Sequence, residues 1–311
     1  HEYALACPAH SVLEKLEVTL AKPKGADDKL GGLAAAGYNQ KFLREEIPLP
    51  GAKAAVKKDY LAVSDKTVFD YTHFSLAMSA ARRYARWVAY NIDGGRIVKA
   101  GIKRIGWKRD PRLPSSAQVG DELYGLSIID RGHLAKREDL LWGTPAEAAR
   151  ANADSFFFTN ASPQHKEFNE GIWKQLEDAI FRETDVADLK VSVFTGPIFR
   201  EDDRVYRNVR IPRDFWKIIV WVDEQKGLCA SAFVMTQDDL IHNLEALGLE
   251  KFKIYQVKVS DVEARTGLTF AKLGAADTRK ETAGPEGLGG ARPGGARPGV
   301  ALIESLDQLA F

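Results

Sequence analysis

Asp130-Arg131-Gly132-His133 closes the short apolar run Ile128-Ile129, and its side chains are suited to phosphate chemistry. The apolar residues before Asp130 predict a buried strand, and Gly132 predicts a backbone turn that a residue with a Cβ would resist. His133 then stands just past a strand end, held by rigid structure and facing a cleft. With an ordinary pKa of roughly 6.5, histidine is mostly neutral at neutral pH and can accept a proton, as a general base must. Taken alone, a histidine after a strand is more often structural than catalytic.

A second stretch changes that balance. Phe156-Phe157-Phe158-Thr159-Asn160-Ala161-Ser162-Pro163-Gln164-His165 follows the first within about thirty residues and runs on through residues 166–177. Ser162-Pro163 predicts a helix start with Pro at its first position, and Phe168, Ile172, Leu176 and Ile180 recur every fourth residue as an apolar stripe. Asn169, Trp173 and Glu177 form a neighbouring stripe. At helical spacing Asn169 and Glu177 stand roughly 12 Å apart along the axis and about 80° apart around it, so both do not easily ligate one ion. Asn169 on a metal, with Glu177 acting through water or on another group, is the geometrically cheaper arrangement. Singly, Asn169 reads as a solvated helix residue, Trp173 as a core anchor and Glu177 as a surface charge.

Asp130-Arg131-Gly132-His133, then Thr159-Asn160-Ala161-Ser162-Pro163-Gln164, then Phe168-Asn169, Trp173 and Leu176-Glu177 resemble in order and spacing the signature of the DNA/RNA non-specific endonucleases. These are the ββα-metal nucleases related to mitochondrial endonuclease G. Trp107 with Asp110-Pro111, Thr195-Gly196-Pro197, Ile211-Pro212 with Phe215-Trp216-Lys217, and Arg265-Thr266-Gly267-Leu268 extend the likeness over roughly residues 70–272. The resemblance implies an α+β, ββα-metal nuclease fold with a mostly antiparallel central sheet flanked by helices. It implies metal-dependent hydrolysis of phosphodiester bonds in DNA and RNA, with little sequence preference and 5′-phosphate and 3′-hydroxyl ends.

The residue roles it implies are specific. Neutral His133 takes a proton from the attacking water, and Asn169 holds a single divalent ion, Mg²⁺ with Mn²⁺ as the alternative. Arg131 and Arg104 neutralise charge developing on the phosphate. Glu177 orders the water shell or a neighbouring arginine, Asn160 is a supporting hydrogen-bonder near His133, and Asp130 fixes the turn. Gly132, Trp173 and Arg182 complete the supporting set, Arg182 standing one residue off the place of an arginine that ends the family's helix. Arg104 is one residue farther from Trp107 than in the family pattern, which leaves Lys103 as its alternative.

The rest of the chain must position these groups. At 311 residues there is ample length for a sizeable core, and 45% hydrophobic with 28% charged residues describes a soluble globular protein. No apolar run approaches the roughly eighteen residues that a membrane-spanning helix needs. Net charge is +1, but residues 82–112 hold ten basic residues against Asp93 and Asp110, near Tyr84, Trp87, Tyr90 and Trp107. That local excess fits a phosphate-backbone footprint, with a solvated face as the other reading. Across residues 200–214, five arginines face four acids, so the net field is weak and no substrate clamp is expected. Cys7 and Cys229 form no metal-ligand spacing and no disulfide framework; whether they pair is open.

Residues 1–50 read as an extension, with Val12, Leu13, Leu16 and Leu20 on one face of a short helix and Ile47-Pro48-Leu49-Pro50-Gly51 as a boundary. The nuclease body then covers residues 51–275. Strands are predicted at 60–63, 68–74, 85–92, 191–194, 217–222, 229–235 and 253–257, and helices at 144–154 and 259–266. His73, within the second of these strands, reads as structural. Residues 276–311 hold a tandem GARPG repeat, read as a flexible linker, and a short amphipathic end expected to dock on the body. The chain begins at His1 rather than Met, leaving open a removed initiator, signal peptide or upstream region. A secreted, periplasmic or delivered protein is expected over a resident cytoplasmic one. Two other readings stand beside the enzyme: a nuclease-like module that only binds nucleic acid or a protein, and an exported effector restrained by an inhibitor or immunity protein.

Overall fold

The computed structural model describes residues 35–98, 101–170, 174, 177–178, 180, 189–237, 253–279 and 301–303. The helix expected after Ser11, Trp173, Arg182 and the GARPG repeat lie outside the described residues.

In chain order the strands are β1 (Gly51–Ala52), β2 (Phe69–Tyr71), β3 (Phe74–Met78), β4 (Ala85–Asp93), β5 (Ile129–His133), β6 (Ala161–His165), β7 (Lys190–Ile198), β8 (Val205–Tyr206), β9 (Val209–Arg210), β10 (Asp214–Asp223), β11 (Gly227–Thr236), β12 (Lys253–Val257), β13 (Leu268–Thr269) and β14 (Ala301–Ile303). The helices are α1 (Ala54–Lys57), α2 (Asp121–Tyr124), α3 (Arg137–Leu140), α4 (Pro145–Ser155), α5 (Lys166–Glu170), α6 (Val259–Thr266) and α7 (Leu273–Ala276). Eight strands form one sheet in the order β14-β12-β11-β10-β7-β4-β3-β2, and every pairing in it is antiparallel. The expected α+β architecture with an antiparallel centre is therefore present. No helix among the described residues is long and apolar enough to cross a membrane.

The central strands carry apolar residues at successive positions, because both faces of the sheet are covered. Alternate side chains of β4 and β10 go to opposite sides, as a pleated strand requires. Val88, Tyr90, Phe215 and Ile219 join Leu134, Ala151, Phe168 and Ile180 in one core cluster. Trp87, Ala89, Trp216 and Ile218 join Val259, Val262 and Leu273 in the other. The first cluster lies under the segments that resemble a nuclease site. Tyr38, Phe42, Leu43 and Ile47 also belong to the second cluster, so the end of the predicted extension packs as part of the body.

Local chemistry sets the element ends. Thr144 and Glu147 form a reciprocal capping box at the start of α4, with Pro145 at its first turn. Gly267, at φ 69°, closes α6 in the left-handed conformation that favours glycine. The strand expected over 68–74 is instead a hairpin, and His73 sits in its turn at φ 71°. Its Nδ1 lies 2.9 Å from the Leu140 carbonyl, and its ring stacks on Trp142 at 3.5 Å between centroids. The structural reading of His73 is kept, but its place is a turn. Three residues of the C-terminal segment do dock, since Ala301–Ile303 pairs with Ile254, Tyr255 and Gln256 at the sheet edge.

One charged group stands inside the first core. Lys217 of β10 is wholly buried, and its ammonium donates to Glu177 Oε1 at 2.8 Å. Nearby Asp139 accepts from the Tyr90 hydroxyl at 3.1 Å, and burial pushes its carboxyl up to about 7. Removing one member of a buried ion pair leaves the other uncompensated, at a typical cost of about 3–5 kcal/mol. Lys217→Met is expected to lower stability by about that amount in denaturant titration, with Lys217→Met/Glu177→Gln recovering much of it. Equal stability of Lys217→Met and wild type would show that the pair contributes nothing.

Candidate active site

The site is built on a two-stranded ribbon outside the main sheet. β5 pairs antiparallel with β6, setting Asp130 opposite Gln164, Gly132 opposite Ser162 and His133 opposite Ala161. Two sequence expectations change here. The strand does not stop before Asp130; it runs through Asp130-Arg131-Gly132 to end at His133. Gly132 is therefore not a turn residue, and its φ is not positive. A Cβ there would lie 1.9 Å from Gln164 Oε1, and Gln164 is wholly buried, so Gly132 serves close approach between the two strands. Ser162-Pro163 does not start a helix either. Both lie in β6, and the helix begins at Lys166. Proline fits because this ribbon is two strands wide, so the missing N–H falls on an unpaired edge.

His133 is half-buried as a residue, but its Nε2 is closed off from solvent and has no hydrogen-bond partner. Trp107 packs against the imidazole with ring centroids 4.5 Å apart, and Phe156 meets it edge-on at 5.3 Å. This desolvation, with the nearby Arg104 charge as a smaller cause, lowers the His133 pKa to about 3. The imidazole is thus neutral throughout the physiological range. Asn160 holds the chain just beyond it. Its Oδ1 accepts from the Ala135 N–H at 2.9 Å, and its Nδ2 donates to the carbonyls of Ala135 at 2.9 Å and Ser155 at 3.1 Å. All of its polar atoms are used in positioning backbone, so Asn160 acts on His133 through the chain and not by direct contact.

Arg131 donates to Asp121 Oδ1 at 2.5 Å and lies 5.6 Å from the Tyr124 ring centre, while its buried Nε has no partner. Arg104 is mostly exposed, 4.0 Å from Glu138 and 5.4 Å from the Phe156 ring. Its charge bears on His133, while the Lys103 backbone carbonyl accepts from Asn152. Asn169 of α5 donates from Nδ2 to Asp130 Oδ2 at 2.8 Å. Asp130 Oδ1 accepts from the Arg131 N–H at 2.7 Å. Asp130 therefore joins the strand to the helix rather than fixing a turn, a role that the sequence pattern did not reveal. Glu177 is occupied by Lys217, as described above.

The basic stretch at residues 82–112 is largely spent internally. Arg82 pairs with Asp203 at 2.8 Å, Arg86 with Asp59 at 2.5 Å, Arg109 with Glu122 at 2.6 Å and Arg112 with Asp110 at 2.7 Å. A footprint drawn over all ten residues is thus too large, because acids from outside the stretch pair with three of them and Asp110 within it pairs with a fourth. The loop at 200–214 is also internally paired, Arg200 with Asp214 and Arg213 with Asp202.

No group of three or more His, Cys, Asp or Glu suited to a metal occurs among the described residues. A cation here would rely on amide oxygen and water. With Nδ2 of Asn169 committed to Asp130, Oδ1 is the remaining atom of the amide and a hard oxygen donor beside a carboxylate. That donor set fits Mg²⁺, which keeps most of its water and takes few protein oxygens.

Comparison with known proteins agrees with this geometry. The family model for DNA/RNA non-specific endonucleases matches residues 51–277. An uncharacterized protein of Sinorhizobium fredii, y4fB, is 37% identical over 76% of this chain, which spans 39% of that protein's length. Human mitochondrial nuclease EXOG is 27% identical over 80% of this chain and 66% of its own length. The nuclease of Serratia marcescens is 28% identical over 63% of this chain and 71% of its own length. The crystal structure of an EndoG/EndoGI complex includes a chain similar in fold, with a TM-score of 0.53, 22% identity, and coverage of 66% of this chain and 85% of that one. By the extent of the match and the ribbon, helix and sheet that carry its motifs, this chain belongs to the DNA/RNA non-specific endonuclease family.

Proposed function

We propose that this chain is a metal-dependent endonuclease that hydrolyses phosphodiester bonds of DNA and RNA with little sequence preference, leaving 5′-phosphate and 3′-hydroxyl ends. The observation that carries the reading is the buried, unpartnered Nε2 of a neutral His133, on the strand that also bears Arg131 and Asp130. Once bound substrate opens Nε2 to a water molecule, a neutral imidazole nitrogen without an internal partner can take that water's proton as it attacks phosphorus. The bond between phosphorus and O3′ then breaks, and O3′ leaves with a proton taken from a second water molecule. Arg131 and Arg104 meet the negative charge that builds on the phosphate oxygens. Asn169, oriented by Asp130, would hold Mg²⁺, or Mn²⁺ in its place. Such an ion, when bound, supplies Lewis-acid stabilisation of phosphate and leaving oxygen. Asn160 and Glu177 act by holding other groups, the chain after His133 and the Lys217 ammonium respectively.

Phosphate contacts position a nucleic acid without reading its sequence, which suits a site built from arginine, histidine and an amide. We assign the activity to residues 51–275, with residues 1–50 and 276–311 as flanking segments. An inhibitor or immunity protein is the protein partner proposed, since a similar solved chain is an EndoG held by its inhibitor.

Purified protein should degrade both supercoiled plasmid and total RNA in Mg²⁺ and neither in EDTA, and His133→Ala should slow the chemical step at least about a hundredfold with the fold intact. Undiminished cleavage by His133→Ala would remove histidine from the mechanism, and an inactive wild type across several metals would remove the enzyme. Asn169→Ala is expected chiefly to raise the Mg²⁺ concentration at half-maximal rate. An unchanged metal titration would show that Asn169 is not the ligand.

A further inference from the structure

The loop entering β5 carries a feature that phosphate chemistry does not use. Leu126 is fully exposed, at 103% of the reference area, and its φ is 46°, a left-handed conformation unfavourable for a branched side chain. Scattered exposed leucines are ordinary, but this one is held in place. The Arg207 guanidinium donates to the carbonyls of Leu123 at 3.0 Å, Gly125 at 2.6 Å and Leu126 at 3.1 Å. Arg207 and Asn208 form the turn between β8 and β9, with φ of 47° and 61°. Two strained turns thus lock together, and the product of that locking is an aliphatic side chain standing in solvent. Strain maintained by surrounding hydrogen bonds is a mark of a functional position.

The neighbours point to the partner. Leu126 lies five residues before Arg131 in the chain, and α2, just ahead of the loop, supplies both Asp121 and Tyr124 to Arg131. Exposed Lys166 donates its backbone N–H to the Ile128 carbonyl at 3.0 Å, so another cation borders the loop. The acids here, Asp121 and Glu122, are each paired with an arginine. Ile128, at 38% exposure, extends the apolar tip. An apolar side chain rigidly displayed beside phosphate-binding cations is the arrangement by which proteins wedge open a base step and bend a duplex.

We infer that Leu126 is a wedge that enters a base step of duplex nucleic acid bound at the His133 site, with Arg207 as the brace that holds it there. This rests on the nuclease reading above. Bending the duplex around the loop would bring the backbone onto Arg131 without any base-specific contact, which suits cleavage with little sequence preference.

The test uses duplexes carrying 2-aminopurine at successive positions, bound by full-length His133→Ala protein so that no strand is cut. Unstacking at one position should raise 2-aminopurine fluorescence with Leu126 or Leu126→Met and fail to do so with Leu126→Ser. In the cleaving background, Leu126→Ser should raise KM for duplex DNA about tenfold while leaving kcat and KM for a short single-stranded oligonucleotide unchanged. Arg207→Ala should behave as Leu126→Ser. Fluorescence and duplex KM for Leu126→Ser that match wild type would overturn the wedge, as expected if the tip serves a protein partner. An intact wild type that cuts nothing would instead refute the nuclease reading, while the fluorescence arm, needing binding alone, still decides the wedge.

Discussion

The site depends on shielding one neutral imidazole from bulk water, with its Nε2 buried and without a hydrogen-bond partner. His133 ends a ribbon strand, and Trp107 and Phe156 close over its ring. A histidine in water would be partly protonated near pH 6.5, and each proton it carries removes it as a base. Burial makes the charged form costly, and the positive Arg104 adds to that cost. In stability terms, the unfolded chain binds a proton below about pH 6.5 that the folded chain refuses until about 3, so folding loses support as pH falls through that window. The aromatic wall thus trades acid stability, and part of the imidazole's proton affinity, for a ring that stays neutral.

The rest of the fold serves this arrangement by fixing backbones and absorbing charge. Asn160 uses both ends of its amide to hold Ala135, two residues after the base. Gln164 occupies the volume that a side chain at residue 132 would need, so the two ribbon strands approach as they do only with glycine there. Beneath the ribbon, Lys217 reaches from the centre of the sheet to Glu177, and Tyr90 reaches Asp139. These contacts join the sheet to the helical segments of the site at points where a slipped register would leave a charge buried and alone. Elsewhere arginine serves structure, Arg82, Arg86 and Arg112 pairing with carboxylates, whereas the charges of Arg104 and Arg137 bear on the base.

The antiparallel sheet was legible because its strands are long apolar runs bounded by turn residues, and 253–257 and 259–266 match their elements residue for residue. The site residues were legible as motifs, but their geometry was not. Ser162-Pro163 has the chemistry of a helix start, and only pairing with β5 makes it a strand. Glycine in Gly132 signals either a turn or a close approach, and sequence does not distinguish them. The basic excess at 82–112 looked like a footprint because Asp59, Glu122 and Asp203, which neutralise it, come from elsewhere in the chain. Asp130 beside Asn169 and Arg207 beneath Leu126 are tertiary contacts across 39 and 81 residues, and no local pattern announces them.

The account rests on His133 being a neutral base in an aromatic, water-poor setting, and a pH titration of its ring resonances by NMR in the full chain, without nucleic acid, reads that state directly. The structure predicts a neutral imidazole from pH 8 down to about 4, followed by unfolding or protonation near 3. A reversible titration of His133 centred near 6.5, the ordinary value for an exposed histidine, would contradict it.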